Sequence, residues 1–142
     1  MDSIRIFGYK SFKKLSVQLH PINLLIGANG AGKSNFLSLF EMLGNIYEKR
    51  LGAYVAQVGG VDKLLYQGRK VTDRIAVNLL IAKSEYDLAL LESDGKLIVE
   101  REVVGCYDDV CPLDLVRKNI ITEYQSESSL KDHKEEDLSN YI

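Results

Sequence analysis

A chain of 142 residues lies near the commonest size of a single domain, and 46% hydrophobic with 27% charged residues is ordinary globular composition, which excludes disorder of the whole chain. No apolar run approaches the roughly 18 residues of a membrane span, and Met1-Asp2-Ser3-Ile4-Arg5 lacks the basic start and apolar stretch of a signal peptide, so a cytoplasmic protein with no membrane partner is expected. The net charge of −2 hides a division: residues 1–71 hold 10 Lys/Arg against 4 Asp/Glu, while residues 72–142 hold 8 against 16, so the first half is the one suited to meeting anions.

In chain order, Ile4 and Ile6 alternate with Ser3 and Arg5, which predicts a strand, and Gly8-Tyr9-Lys10-Ser11 reads as a turn. Leu15, Val17 and Leu19 alternate with Ser16, Gln18 and His20 as a second, half-buried strand. After Pro21, the nearly continuous apolar run Ile22-Asn23-Leu24-Leu25-Ile26 predicts a strand covered on both faces, as at the centre of an α/β sheet. Glycines at 27, 30 and 32 break that pattern, and Phe36, Leu39, Phe40, Leu43 and Tyr47 then recur at helical spacing. Residues 52–70 are less regular, with a bend at Gly59-Gly60 before Val61, Leu64 and Leu65.

From residue 73 an antiparallel meander is expected. Ile75, Val77, Leu79 and Ile81 alternate along its first strand, Tyr86–Glu92 forms a second, and Ser93-Asp94-Gly95-Lys96 supplies the tight turn into Leu97–Val104. The tail from Glu123 is acidic and Ser-rich, with Leu130, Leu138 and Tyr141 suggesting a short helix and no cap at its end. Cys106 and Cys111 stand alone as a Cys-x4-Cys, short of the four ligands of a structural zinc site, and read as reduced thiols. The organisation expected is one domain, incomplete, over 1–142, with strands, loop and helix in 1–50, an antiparallel β-subdomain in 73–104 and an acidic tail in 123–142.

The chemistry lies in Gly27-Ala28-Asn29-Gly30-Ala31-Gly32-Lys33-Ser34, a full match to G-x-x-x-x-G-K-[ST]. A triphosphate needs donors that close around its oxygens. Successive backbone N–H groups of a compact glycine loop, and the unpaired N–H groups of the helix that follows, provide them. Lys33 reaches the β- and γ-phosphates as a mobile point charge, and the Ser34 hydroxyl is placed for Mg²⁺. A chance match in a chain this long is on the order of one in a few hundred, and the motif stands where a strand is expected to end and a helix to begin. The three lysines Lys10, Lys13 and Lys14 fit either a solvated turn or a place near phosphate or nucleic acid.

With the loop, Ile4-Arg5-Ile6, Tyr9-Lys10-Ser11-Phe12-Lys13, Ile22–Gly27 and Gly32-Lys33-Ser34-Asn35-Phe36-Leu37 together resemble the N-terminal part of RecF/SMC-like, ABC-type P-loop ATPases. Gly59-Gly60-Val61-Asp62-Lys63-Leu64-Leu65-Tyr66-Gln67-Gly68 looks like a segment of predicted AAA-type and OLD-like ATPases. The resemblance implies an α/β fold, the N-terminal half of an ABC-type P-loop NTPase, with a strand, P-loop and helix core and an antiparallel β-meander subdomain. It further implies ATP and Mg²⁺ as cofactors, bound by Gly27, Asn29, Gly30, Ala31, Gly32, Lys33, Ser34 and Asn35, with Ser34 on the metal. It implies a homodimer in the complete protein and work on DNA or in phage defence.

The family's Mg²⁺-sensing glutamine is not singled out among Gln57, Gln67 and Gln125. Hydrolysis needs an acidic pair after an apolar strand, and Leu88-Ala89-Leu90-Leu91-Glu92 lacks the aspartate and runs into a hairpin turn. The family's signature loop is missing as well. The expectation is therefore an ATPase when complete, with this chain as its inactive front part. The competing reading is a regulatory or interaction module that binds nucleotide without turnover. A small GTPase or kinase is disfavoured by the lack of Asn-Lys-x-Asp and Asp-x-x-Gly motifs and by the meander.

Overall fold

In the computed structural model, residues 2–82, 84–106 and 124–132 are described. The chain opens with a hairpin of β1 (Asp2–Tyr9) and β2 (Phe12–Leu19). The reversal falls at Lys10-Ser11, with Gly8 and Tyr9 still inside β1, two residues later than the sequence suggests. Ile4 faces Val17 and Ile6 faces Leu15 across the ladder, so the alternation seen in the sequence becomes one apolar sheet face. The helix α1 (Lys33–Tyr47) follows the glycine loop, and a short α2 (Leu51–Gln57) leads through Gly59-Gly60 into a single 3₁₀ turn at Val61–Lys63.

The meander consists of β3 (Arg74–Ile81), β4 (Ser84–Ser93) and β5 (Lys96–Cys106). Both central residues of its Asp94-Gly95 turn have left-handed backbone, φ 50° and 78°, as that tight hairpin requires. These strands do not stand apart from the first hairpin. β3 pairs with β1, giving one antiparallel sheet in the order β2-β1-β3-β4-β5. A register shift between Ala89 and Leu90 places two residues of β5 against one of β4.

One face of the sheet and the helices share a single core. Ile4, Ile6, Ile75, Val77, Leu88, Leu90, Leu97 and Val99 come from the strands, and Leu39, Met42, Ile46, Leu51, Tyr54 and Val55 come from the helices. Val61 closes it from the 3₁₀ turn, and Leu64 and Leu65 from the two residues that follow. The helical spacing thus marks the right segment but only part of the right face. Leu39 is buried and Phe36 and Leu43 are partly buried, whereas Phe40 and Tyr47 are exposed and Met42 and Ile46 take their place.

The larger correction concerns Ile22–Ile26. The sequence predicts a strand covered on both faces, but these residues lie outside any sheet and are open: Ile22 is 89%, Leu24 80%, Leu25 43% and Ile26 84% exposed. A strand of this kind is buried by neighbours on both sides, and the described sheet offers none, since β2 and β5 form its edges elsewhere. In the tail, Leu130 lies in a 3₁₀ turn (Leu130–Asp132), while Leu138, Tyr141 and Cys111 lie outside the described residues.

Candidate functional site

Hydrogen bonds from the β1–β2 turn to the segment after α2 set the frame of the site. Lys10 N–H donates to Leu64 O at 2.7 Å and Tyr66 N–H to Gly8 O at 2.9 Å, which docks residues 61–70 against the end of β1. The side chains then converge on Ser38 of α1. Its Oγ lies 2.9 Å from the Tyr9 hydroxyl, accepts from Lys10 Nζ at 2.7 Å and donates to Asn35 O at 3.0 Å. Burial raises the Tyr9 phenol well above its ordinary value, so it stays protonated, and the same desolvation lowers the Lys10 ammonium. Of the three lysines in doubt, Lys10 is thus turned onto the helix, while Lys13 and Lys14 stay exposed on β2.

The glycine loop sits on this turn. Gly32 caps α1 at φ 93°, a left-handed backbone that glycine takes without strain, and no side chain caps the helix there. A Cβ at Gly32 would stand 3.1 Å from both the Phe12 ring and Ser11 Oγ, so the loop lies close against the β1–β2 turn and the tight contact adds to the backbone conformation in favouring glycine. Asn35 Nδ2 donates to Ser11 Oγ at 2.9 Å and fastens the first turn of α1 to the same turn. Within the loop, Ala31 N–H closes on Ala28 O at 3.2 Å.

Lys33 Nζ folds back over the loop and donates to Gly27 O at 2.6 Å and Ala28 O at 2.7 Å. This position suits an ammonium that rests on loop carbonyls and can turn to a stronger acceptor at low cost. The first amides of α1, at Lys33, Ser34 and Asn35, have no intrahelical acceptor, as at every helix start, and they share their end with the positive pole of the helix dipole. Asn29, Gly30, Ala31 and Ser34 are exposed around them. The residues present therefore fit a phosphate: an uncapped helix N-terminus, a loop that favours glycine, a movable ammonium and an accessible hydroxyl. Ser34 carries the one side-chain hydroxyl within the motif, and it is exposed. Among the described residues no cluster of three or more His, Cys, Asp or Glu could hold a metal by itself.

Beside the loop, the same turn borders an open cleft of about 740 Å³ lined by Lys10, Ser11, Asn35, Gln67, Arg69 and Lys70 among others. Of the three glutamines left open by the sequence, Gln67 lies in this cleft, Gln57 ends α2, and Gln125 pairs its backbone with Val99. Ser38, the hub of the turn, was not legible from the motif. Its only sequence signal is a small polar residue one helical turn after Ser34. Glu92, at the end of the one stretch considered for an acidic pair, lies in β4 and accepts from Gly95 N–H at 2.8 Å, which fixes it in the hairpin turn.

Compared with known families, the chain matches the model of the AAA ATPase domain over residues 1–142. Neither the comparison with curated proteins nor that with solved structures gives a match. Among the described residues no helix is long and apolar enough to cross a membrane.

Proposed function

From the premise that the chain belongs to the AAA ATPase domain family, and so to proteins that bind nucleotide, we propose that it is the ATP–Mg²⁺-binding lobe of a RecF/SMC-like, ABC-type ATPase of the cytoplasm. The observation that carries this reading is the glycine loop with its uncapped helix start and the Lys33 ammonium poised over it. In this assignment the backbone amides from Asn29 to Ser34 hold phosphate oxygens, with Gly27 and Ala31 shaping the loop. Lys33 leaves the Gly27 and Ala28 carbonyls for the β- and γ-phosphates, and Ser34 gives its hydroxyl to Mg²⁺. Asn35 keeps the helix start on Ser11. Bound Mg²⁺ supplies neutralisation of phosphate charge; everything else is positioning by this chain's own loop.

Turnover requires a carboxylate to orient water, and Glu92 is committed to a turn. Hydrolysis is therefore assigned to an assembly in which further strands and acidic residues join this lobe, with two copies closing on nucleotide and acting in DNA-related or defence work. The exposed run Ile22–Ile26 supports a lobe that docks onto further strands over a self-contained regulatory module. The test is titration of a fluorescent ATP analogue with Mg²⁺ into wild type and Lys33→Ala. Wild type is expected to bind and Lys33→Ala to bind at least about tenfold more weakly, the weight of a charge-assisted contact of about 1.5–3 kcal/mol. Equal binding by the two proteins overturns the assignment.

A further inference from the structure

The sheet has a second face, turned away from the helices, and its registers place a particular row across it. Lys14 of β2 lies opposite Phe7 of β1, Phe7 opposite Ala76 of β3, Ala76 opposite Ala89 of β4, and Ala89 opposite Arg101 of β5. Four strand spacings separate the two cations, about 19 Å. One step along, Arg5 lies opposite Asn78, and Asn78 opposite Asp87. These residues line a shallow groove of about 400 Å³ whose floor is the two alanines.

The chemistry of the groove is selective. Phe7 is 45% exposed in a strand flanked on both sides, where an apolar ring gains nothing from water. Arg5, Lys14 and Arg101 form no hydrogen bond or ion pair among the described residues. Of the neighbouring carboxylates, Glu100 pairs with Arg74 at 2.9 Å, while Asn78 Nδ2 donates to Asp87 at 2.7 Å and to Glu85 at 2.6 Å and, being a neutral amide, orients these two without neutralising them, so a polyanion must track the cations and leave the Asp87 edge to a base. Three uncommitted cations around an open ring, over a floor of small side chains, match a polyanion that also carries flat aromatic faces.

We propose that this face binds single-stranded nucleic acid, with a base stacked on Phe7 and phosphates along Arg5, Lys14 and Arg101. A duplex hides its base faces and would leave Phe7 without a partner, whereas an unpaired base offers its π-face to the ring. Asp87, held by Asn78, is an acceptor at the groove edge for a base amino group. The net charge of −2 does not oppose this, because the contact is local and its strength is expected to depend on salt. The face lies on the opposite side of the sheet from the helix layer, so the proposal does not rest on the nucleotide assignment.

The test is fluorescence anisotropy of a labelled, mixed-sequence single-stranded DNA of roughly 15 nucleotides, titrated with the 142-residue chain at several salt concentrations, with and without excess ATP–Mg²⁺. A dissociation constant on the order of 10⁻⁵ M at low salt is expected, with a salt slope of about −2 for three phosphates, unchanged by ATP–Mg²⁺. Phe7→Leu should weaken binding about tenfold at an unchanged slope, and Lys14→Gln and Arg101→Gln should each reduce the slope by about 0.7. Thermal unfolding checks that Phe7→Leu is folded, and Lys14→Gln, on an exposed edge position, keeps the test decisive if it is not. Variants that bind as wild type does, competition by ATP–Mg²⁺, or equal affinity for a blunt duplex of the same length would each overturn the proposal.

Discussion

Two glycines show how much of the local architecture depends on a missing side chain. At Gly32 the left-handed backbone and the nearness of Phe12 and Ser11 agree with what the phosphate-loop motif demands. At Gly8 the reason is different and was not visible in the chain. The residue reads as part of a turn, yet it lies inside β1 at φ 72°, and an added Cβ would stand 2.2 Å from Arg74 O and 2.9 Å from Thr72 Cγ2. The Arg74 oxygen cannot yield easily, because it is backbone entering β3. Gly8→Ala is therefore expected to cost at least about 2 kcal/mol, combining left-handed strain with a backbone clash. Urea unfolding should show a lower midpoint with an unchanged slope. A midpoint equal to wild type would mean that β1 and the start of β3 separate freely.

At the scale of elements, the strands were largely legible and the connections were not. Alternation marks β1, β2 and β3, each with one face in the core and one in water, the condition under which a period of two is written into sequence, whereas β4 and β5 are marked by the Asp94-Gly95 turn between them. α2 escaped notice because Leu51, Tyr54 and Val55 are too few to establish a helical period in seven residues containing Gly52. What fixes α2 lies 75 residues away. The Glu127 carboxylate accepts from Leu51 N–H at 2.9 Å and Gly52 N–H at 3.3 Å, satisfying two first-turn donors at the positive end of the helix.

The same segment pairs Gln125 with Val99, and its Ser128 hydroxyl donates to buried Glu102, which also accepts from the Tyr86 hydroxyl at 2.7 Å. Residues 124–132, read from sequence as acidic tail, thus tie the sheet edge to the helix junction. Glu127→Ala should cost about 1 kcal/mol in chemical unfolding. A second tie is sensitive to pH. The hydrogen bond from Lys131 holds the Glu48 carboxyl below its ordinary value, and because its folded value is the lower one, its stabilisation exists above the unfolded value and fades as pH falls through the folded one. The small difference in melting temperature between wild type and Lys131→Ala should therefore be present at neutral pH and fade in acid, as pH falls below the ordinary glutamate range. A difference that persists in acid would show that Lys131 acts through packing instead.

For the whole molecule, the decisive fact is the mismatch between what Ile22–Ile26 are and where they stand. The sequence correctly records a demand for burial, since four apolar side chains in five residues are costly to leave in water. It records nothing of which strands meet that demand, because pairing partners are a property of tertiary structure. Asn23 exchanges hydrogen bonds with the His20 backbone and pins the start of the run, but Ile22, Leu24 and Ile26 stay almost wholly open.

This yields a contrast that stability measurements can read. In the described lobe, Leu24→Ser with Ile26→Ser removes apolar groups that pack on nothing, so unfolding free energy should change by less than about 1 kcal/mol, while binding of an apolar dye such as ANS falls. Ile6→Ala, two percent exposed in the shared core, should cost about 2–5 kcal/mol and leave dye binding by the folded protein unchanged. If the serine pair instead destabilises the lobe as severely as Ile6→Ala, the run is already buried in solution and the docking of further strands is refuted. If it does not, the run is open in solution, as the proposed docking requires, and nucleotide affinity should rise when the proposed assembly forms, because the run that leads into the glycine loop then becomes fixed.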